Sequence, residues 1–138
     1  MTIPMIVPWL AAAAFLAFSL FILSSEGGSI RNGWMFPAAA SLAFFGFSLV
    51  AVSSEGMSGF WTEHTRNLWG NQIWIDLLLA VGIGWFLIVP QAKALGMRPL
   101  PWFLLVASTG CIGFLAMTAR MLYLRERAGS PSSHPLTT

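Results

Sequence analysis

Few side chains in this sequence could take part in chemistry, and the most conspicuous is a carboxylate inside an apolar run. The stretch "NQIWIDLLLAVGIGWFLIVP" (residues 71–90) holds Asp76 about a turn and a half from its start. On insertion scales a charge at the centre of a lipid-embedded helix costs roughly 3 kcal/mol, and less near an interface. Asp76 therefore needs a partner or a task. Arg120 is the candidate partner. Asp76 shares a helix face with Ala80 and Gly84, and Arg120 shares one with Ala116, Gly113 and Thr109. Each charge thus ends a stripe of small residues, the pattern that lets transmembrane helices approach closely. Three readings follow: an ion pair that fixes helix register, a carboxylate that carries protons or binds a ligand, or an arginine snorkelling to headgroups with Asp76 hydrated.

A second group lies in "GFWTEHTRNLWGNQ" (residues 59–72). Read as a helix over 59–69, Phe60, Trp61, His64 and Leu68 face one way, and Glu63, Arg66 and Asn67 the other. That is the pattern of an amphipathic helix lying in the membrane interface. His64, Glu63, Asp76 and Trp74 form a candidate ligand or proton site. A metal centre needs three or four ligands at usable spacing. The sequence offers one histidine here and a second, His134, near the end, so no metal site is expected. No G-x-S-x-G, phosphate-binding glycine loop, C-x-x-C or C-x-x-C-H occurs. No catalytic residue and no cofactor can be assigned.

The elements that would position these residues follow from composition. The 138 residues are 57% hydrophobic and only 9% charged, with mean hydropathy +0.74; soluble domains carry roughly 25% charged residues. So short a chain could not cover its outside with so few charges, and its surroundings must be lipid. A net charge of +2 without a basic run excludes nucleic acid as a partner. Cys111 is the single cysteine and can form no internal disulfide.

Crossing the hydrocarbon core takes about 20 apolar residues. Four segments qualify, over about 3–23, 34–52, 73–93 and 100–123. They predict an all-α polytopic membrane protein, an antiparallel bundle of four transmembrane helices within one domain (residues 1–127). A tail over 128–138, rich in Pro and Ser, is expected to be disordered. The first segment lacks a basic leader and a small-residue cleavage site, and reads as a retained helix. Trp9, Trp34, Trp61, Trp69, Trp74 and Trp102 fall near segment ends, where interfacial tryptophans belong; Trp85 does not.

The turn between the last two segments centres near Met97, with Asp76 21 residues before and Arg120 23 after. In a simple hairpin those charges sit at the same depth and can pair. Four crossings put both termini on one side, with Arg66, Arg120, Arg125 and Arg127, against Arg31, Lys93 and Arg98 on the other. Four against three points to cytoplasmic termini by a thin margin.

The first two segments form a duplicated pair. "FLAFSLFILSSEGGS" (15–29) matches "FFGFSLVAVSSEGMS" (44–58) at a constant offset of 29. The simple reading is a copied helix with its glycine stop; the sharper one is an inverted repeat with a substrate site at its interface.

The C-terminal half, "IDLLLAVGIGWFLIVPQAKALGM" and "PWFLLVASTGCIGFLAMTARMLYLRER", resembles an uncharacterised family of small bacterial four-helix membrane proteins, known only as a domain of unknown function. Asp76–Leu77–Leu78, Lys93 with Leu95–Gly96, Gly113, and Leu122 through Glu126 carry the likeness. Ala119 and Arg120 depart from that pattern, which has a proline and an apolar residue there. The resemblance implies a membrane location and a four-helix unit, with no activity attached.

Three functions fit these features. One is a non-catalytic accessory subunit, assembly factor or scaffold packing against other membrane proteins or itself. Another is a binder or enzyme acting on an apolar isoprenoid, carotenoid or quinone-type lipid, or pigment. The third is a small oligomeric proton-coupled transporter.

Overall fold

The computed structural model describes residues 3–24 and 31–129, which are helical throughout apart from turns, without strands among them. The glycine stop of the first repeat copy and all but the first two residues of the expected 128–138 tail, including His134, lie outside the described residues. The helices are α1 (Ile3–Ser24), α2 (Met35–Glu55), α3 (Gly59–Thr65), α4 (Leu68–Ala94), α5 (Pro99–Thr109) and α6 (Cys111–Gly129). Three of them, α1, α2 and α4, are long and apolar enough to cross a membrane, and the protein is an integral membrane protein by that measure.

The chain divides into two units, residues 1–30 and 31–138. The first holds α1. Near its end Ser24 donates to the Phe21 carbonyl at 3.0 Å. The same bond recurs 29 residues on, from Ser53 to Val50 at 2.8 Å. The repeat thus extends from sequence to hydrogen bonding. In the second copy Gly56, at φ 82, closes α2.

In the second unit α6 is the central element, touched by α2, α4 and α5. It runs antiparallel to α2: Ser41 donates to the Ile112 carbonyl at 2.9 Å, while Trp34, earlier on α2, meets Tyr123, later on α6, edge to face at 5.4 Å. It runs parallel to α4. The Phe114 ring lies where a Cβ on Gly84 would point, and Met117 and Met121 join Ala92 and Met97, at the far end of α4, in the one buried cluster among the described residues.

A single helix over 100–123 is therefore not what forms. Gly110 interrupts it, at φ 59 and ψ −126, a backbone region open in practice to glycine alone. The chain reverses there. α5 runs back beside α4, where Phe103 meets Trp85 edge to face at 5.8 Å, and α6 returns toward the turn it came from. Closing so tight a reversal requires a second glycine. A Cβ on Gly113 would sit 2.8 Å from the Leu105 carbonyl oxygen. Trp85, too deep for an interfacial tryptophan, is explained by this ring contact.

Candidate functional site

The α3–α4 junction gathers most of the residues with chemical potential. Asn67 stands in extended backbone as the N-cap of α4, and its side chain accepts from the Gly70 amide at 2.8 Å. That cap satisfies one of the helix's unpaired donors and breaks the expected 59–69 helix, so α3 ends at Thr65. Gly70 lets α3 fold back closely, since a Cβ there would lie 2.9 Å from the His64 carbonyl oxygen. The result places His64 against Trp74, ring centroids 5.0 Å apart, with Phe60 6.2 Å from the same indole.

Within this junction His64 Nδ1 is bonded to the Phe60 carbonyl, which makes Nδ1 the protonated nitrogen and leaves Nε2 free to accept. Glu63 accepts from Arg66 at 3.2 Å, an exposed i,i+3 pair, worth under about 1 kcal/mol. An open groove of about 400 Å³ runs beside them, lined by Glu63, His64, Arg66, Asn67, Trp69, Gly70 and Ile73. Asp76 does not line it. Two residues beyond Trp74, it points roughly 200° around the helix, and is exposed. Of the four candidate ligand or proton residues, His64 meets Trp74 and lines the groove with Glu63, while Asp76 stands apart. No three His, Cys, Asp or Glu side chains cluster among the described residues.

The expected Asp76–Arg120 ion pair is not formed. Among the described residues the ion pair present is Arg66–Glu63. Asp76 lies about 24 Å along α4 from Ala92, at 1.5 Å per residue, whereas Arg120 adjoins Met121 in the Ala92 cluster. The equal-depth expectation assumed one straight helix after the turn. The reversal at Gly110 sends Arg120 to the opposite end of α4. Its guanidinium lies instead 5.8 Å from the Tyr123 ring centroid.

The small residues divide between roles. Gly84 and Gly113 are points of close approach, to Phe114 and to the end of α5. Thr109 donates to Leu105 at 2.7 Å and accepts from the Gly113 amide at 3.0 Å, bridging α5 and α6. Ala116 is half-buried, and Ala80 is exposed.

A second cluster escaped the sequence reading. Tyr123, the chain's single tyrosine, carries Arg127 at 4.6 Å over its ring as well as Arg120. Glu126 accepts from the Asn32 amide at 3.0 Å, and a cleft of about 240 Å³ lies among Asn32, Trp34, Tyr123, Glu126 and Arg127. The spacing R-x-x-Y-x-x-x-R, which stacks both arginines on one helix face with the ring, was the signal available.

Comparison with protein-family models, with curated proteins and with solved structures gives no match.

Proposed function

We propose that this protein is a non-catalytic membrane component, a subunit or scaffold of a bacterial cytoplasmic membrane that works by packing its helices against other transmembrane helices. The carrying observation is a second small-residue face on α2. Its first such face, around Ser41, is buried against α6. Ala39, Ala43 and Gly46 lie roughly 140–200° from Ser41 at 100° per residue, and all three are exposed, with nothing within 4 Å of a Cβ built on Gly46. Small residues let helix backbones approach, and in lipid close packing and its hydrogen bonds drive association.

The test is Gly46→Leu, at a position where an added Cβ has nothing within 4 Å among the described residues. In mild detergent the parent should run as a complex larger than its 15.0 kDa protomer, and the variant as a folded protomer with the parent's helical circular dichroism. A parent that runs alone, and stays at protomer mass after crosslinking in native membranes, would sink the reading.

The second reading is an apolar lipid held at the α3–α4 groove, supported by the Phe60–His64–Trp74 aromatic cluster beside it. Organic extraction of the purified protein tests it: a stoichiometric isoprenoid or quinone that Trp74→Ala loses supports it, and its absence from the parent removes it.

A further inference from the structure

The reversal at Gly110 has a consequence for how the chain meets the membrane. At 1.5 Å per residue α5, of 11 residues, spans about 16 Å, half of the roughly 30 Å hydrocarbon core. α6 then returns to the end of α4 from which α5 departed. We propose that α5 and α6 form a re-entrant hairpin, entering and leaving the membrane at one face, and that this face is cytoplasmic and rests on anionic lipid headgroups.

Three independent features carry this. First, non-helical backbone at membrane depth survives only where its polar groups are satisfied within the protein, and both backbone groups of Gly110, with the hydroxyls beside it, are bonded within the chain. The Gly110 amide donates to Val106 at 2.7 Å, and the Gly110 carbonyl accepts from Phe114 at 3.2 Å. Thr109 bridges Leu105 and Gly113, Ser108 donates to Leu104 at 2.9 Å, and Ser41 of α2 reaches the Ile112 carbonyl at 2.9 Å.

Second, the reversal sorts the charges. Arg31 precedes Asn32, which is bonded to Glu126 at the end of α6. Lys93 and Arg98 flank the α4–α5 turn, which packs on Met117 and Met121. Arg120, Arg125 and Arg127 leave with α6. Six of the seven basic residues therefore share one end of the unit, while Arg66 sits at the other with Glu55, Glu63 and Asp76. A four-crossing chain divides its cations four to three; the re-entrant chain divides them six to one, a decisive bias for the positive-inside rule.

Third, that end has the make-up of a membrane interface. Trp34 and Tyr123 meet there, as interfacial aromatics do, and Arg120 and Arg127 lie over the tyrosine ring. Juxtamembrane cations of this density are drawn to anionic phospholipids.

The experiment uses the full chain carrying Cys111→Ser, with one cysteine introduced at a time at Ala94, Ala128 or Ser58, all exposed positions. Each variant is first required to keep the parent's thermal stability. A membrane-impermeant maleimide should label Ser58→Cys in spheroplasts, and Ala94→Cys and Ala128→Cys only after lysis. Labelling of 94 and 128 from opposite sides overturns the hairpin. Labelling of both from outside overturns the cytoplasmic assignment. For the headgroups, the parent is placed in nanodiscs of phosphatidylcholine with and without phosphatidylglycerol. Its Tm should rise with the anionic lipid at low salt, and the rise should shrink at high salt and in Arg120→Gln/Arg127→Gln. Equal Tm in both discs, or an equal rise from inorganic phosphate alone, overturns the headgroup contact.

Discussion

Gly113→Ala is the substitution on which the hairpin geometry can be weighed most directly. A Cβ at this position would stand 2.8 Å from the Leu105 carbonyl oxygen, 2.8 Å from Thr109 Oγ1 and 2.9 Å from the Leu105 carbonyl carbon. These are backbone atoms and a bonded hydroxyl, with no flexible side-chain end to swing aside. Ordinary contact begins near 3.4 Å, so α5 and α6 must part by about 0.6 Å, enough to forfeit a quarter or more of the dispersion energy along the seam. Overpacking of this kind costs about 1–3 kcal/mol. Weakening of the Gly113–Thr109 hydrogen bond adds about 0.5–1.5 kcal/mol. Against this stands a gain of up to about 1 kcal/mol for alanine over glycine in a helix interior. The net expectation is a loss of about 0.5–4.5 kcal/mol. Gly82→Ala is the internal control, because nothing lies within 4 Å of its Cβ, it stands inside α4 away from the α2 face assigned to association, and only the propensity gain remains. Reversible unfolding in mixed micelles, titrated with sodium dodecyl sulfate and followed by far-UV circular dichroism, measures both. The two substitutions should move stability in opposite directions. Equal stabilities for Gly113→Ala and Gly82→Ala would refute the close approach of α5 to α6, and the reversal with it.

The same assay checks three more expectations. Gly110→Ala forces a non-glycine residue into φ 59, ψ −126 and should cost about 1–3 kcal/mol; no loss would mean that the backbone does not turn there. Asp76→Asn, Arg120→Leu and the double change should be additive within about 0.5 kcal/mol, since the two groups sit at opposite ends of α4; a larger coupling would restore the ion pair. Asn67→Ala removes the α4 cap that accepts from Gly70 and should cost about 1 kcal/mol, mostly as fraying at the α3–α4 junction, visible as faster amide exchange at Gly70.

Much of the architecture was legible because apolar length is a strong signal. Residues 3–23, 34–52 and 73–93 were read as helices, and α1, α2 and α4 follow them with differences of a few residues at their ends. α4 starts five residues early because Asn67 caps it, a cap that the amphipathic pattern of 59–69 concealed. The fourth segment misled for a physical reason. Residues 100–123 are apolar throughout, and hydropathy cannot register a single glycine that turns the chain around. Gly110 offered a hint in "STG", but glycine is common within transmembrane helices, and only the packing of Met117 and Met121 on Ala92 and Met97 reveals the turn. The Asp76–Arg120 expectation failed with that segment. Small residues did mark contacts, though not between the stripes that contained them: Gly84 faces Phe114, and Gly113 faces the end of its own neighbour α5. His64 and Trp74 lie ring to ring, because ten residues across a capped junction leave them little alternative. Tyr123 went unread because a tyrosine between arginines at a helix end looks like ordinary interfacial composition.

The position of α6 bears on how the protein is made. α2 and α4 both lean on α6, and α6 is the last of the described helices to leave the ribosome. While the chain is still being synthesised, α2 and α4 must wait in the bilayer as separate helices, without the element that joins them. A two-stage membrane protein of this kind cannot assemble from its N-terminus forward in the manner of soluble domains. Its architecture is completed from the end backwards, when the short apolar α5 and the returning α6 slot in as a pair. A chain halted after Ala94 would then hold α2 and α4 without the α6 contacts that join them, a ready target for membrane proteases.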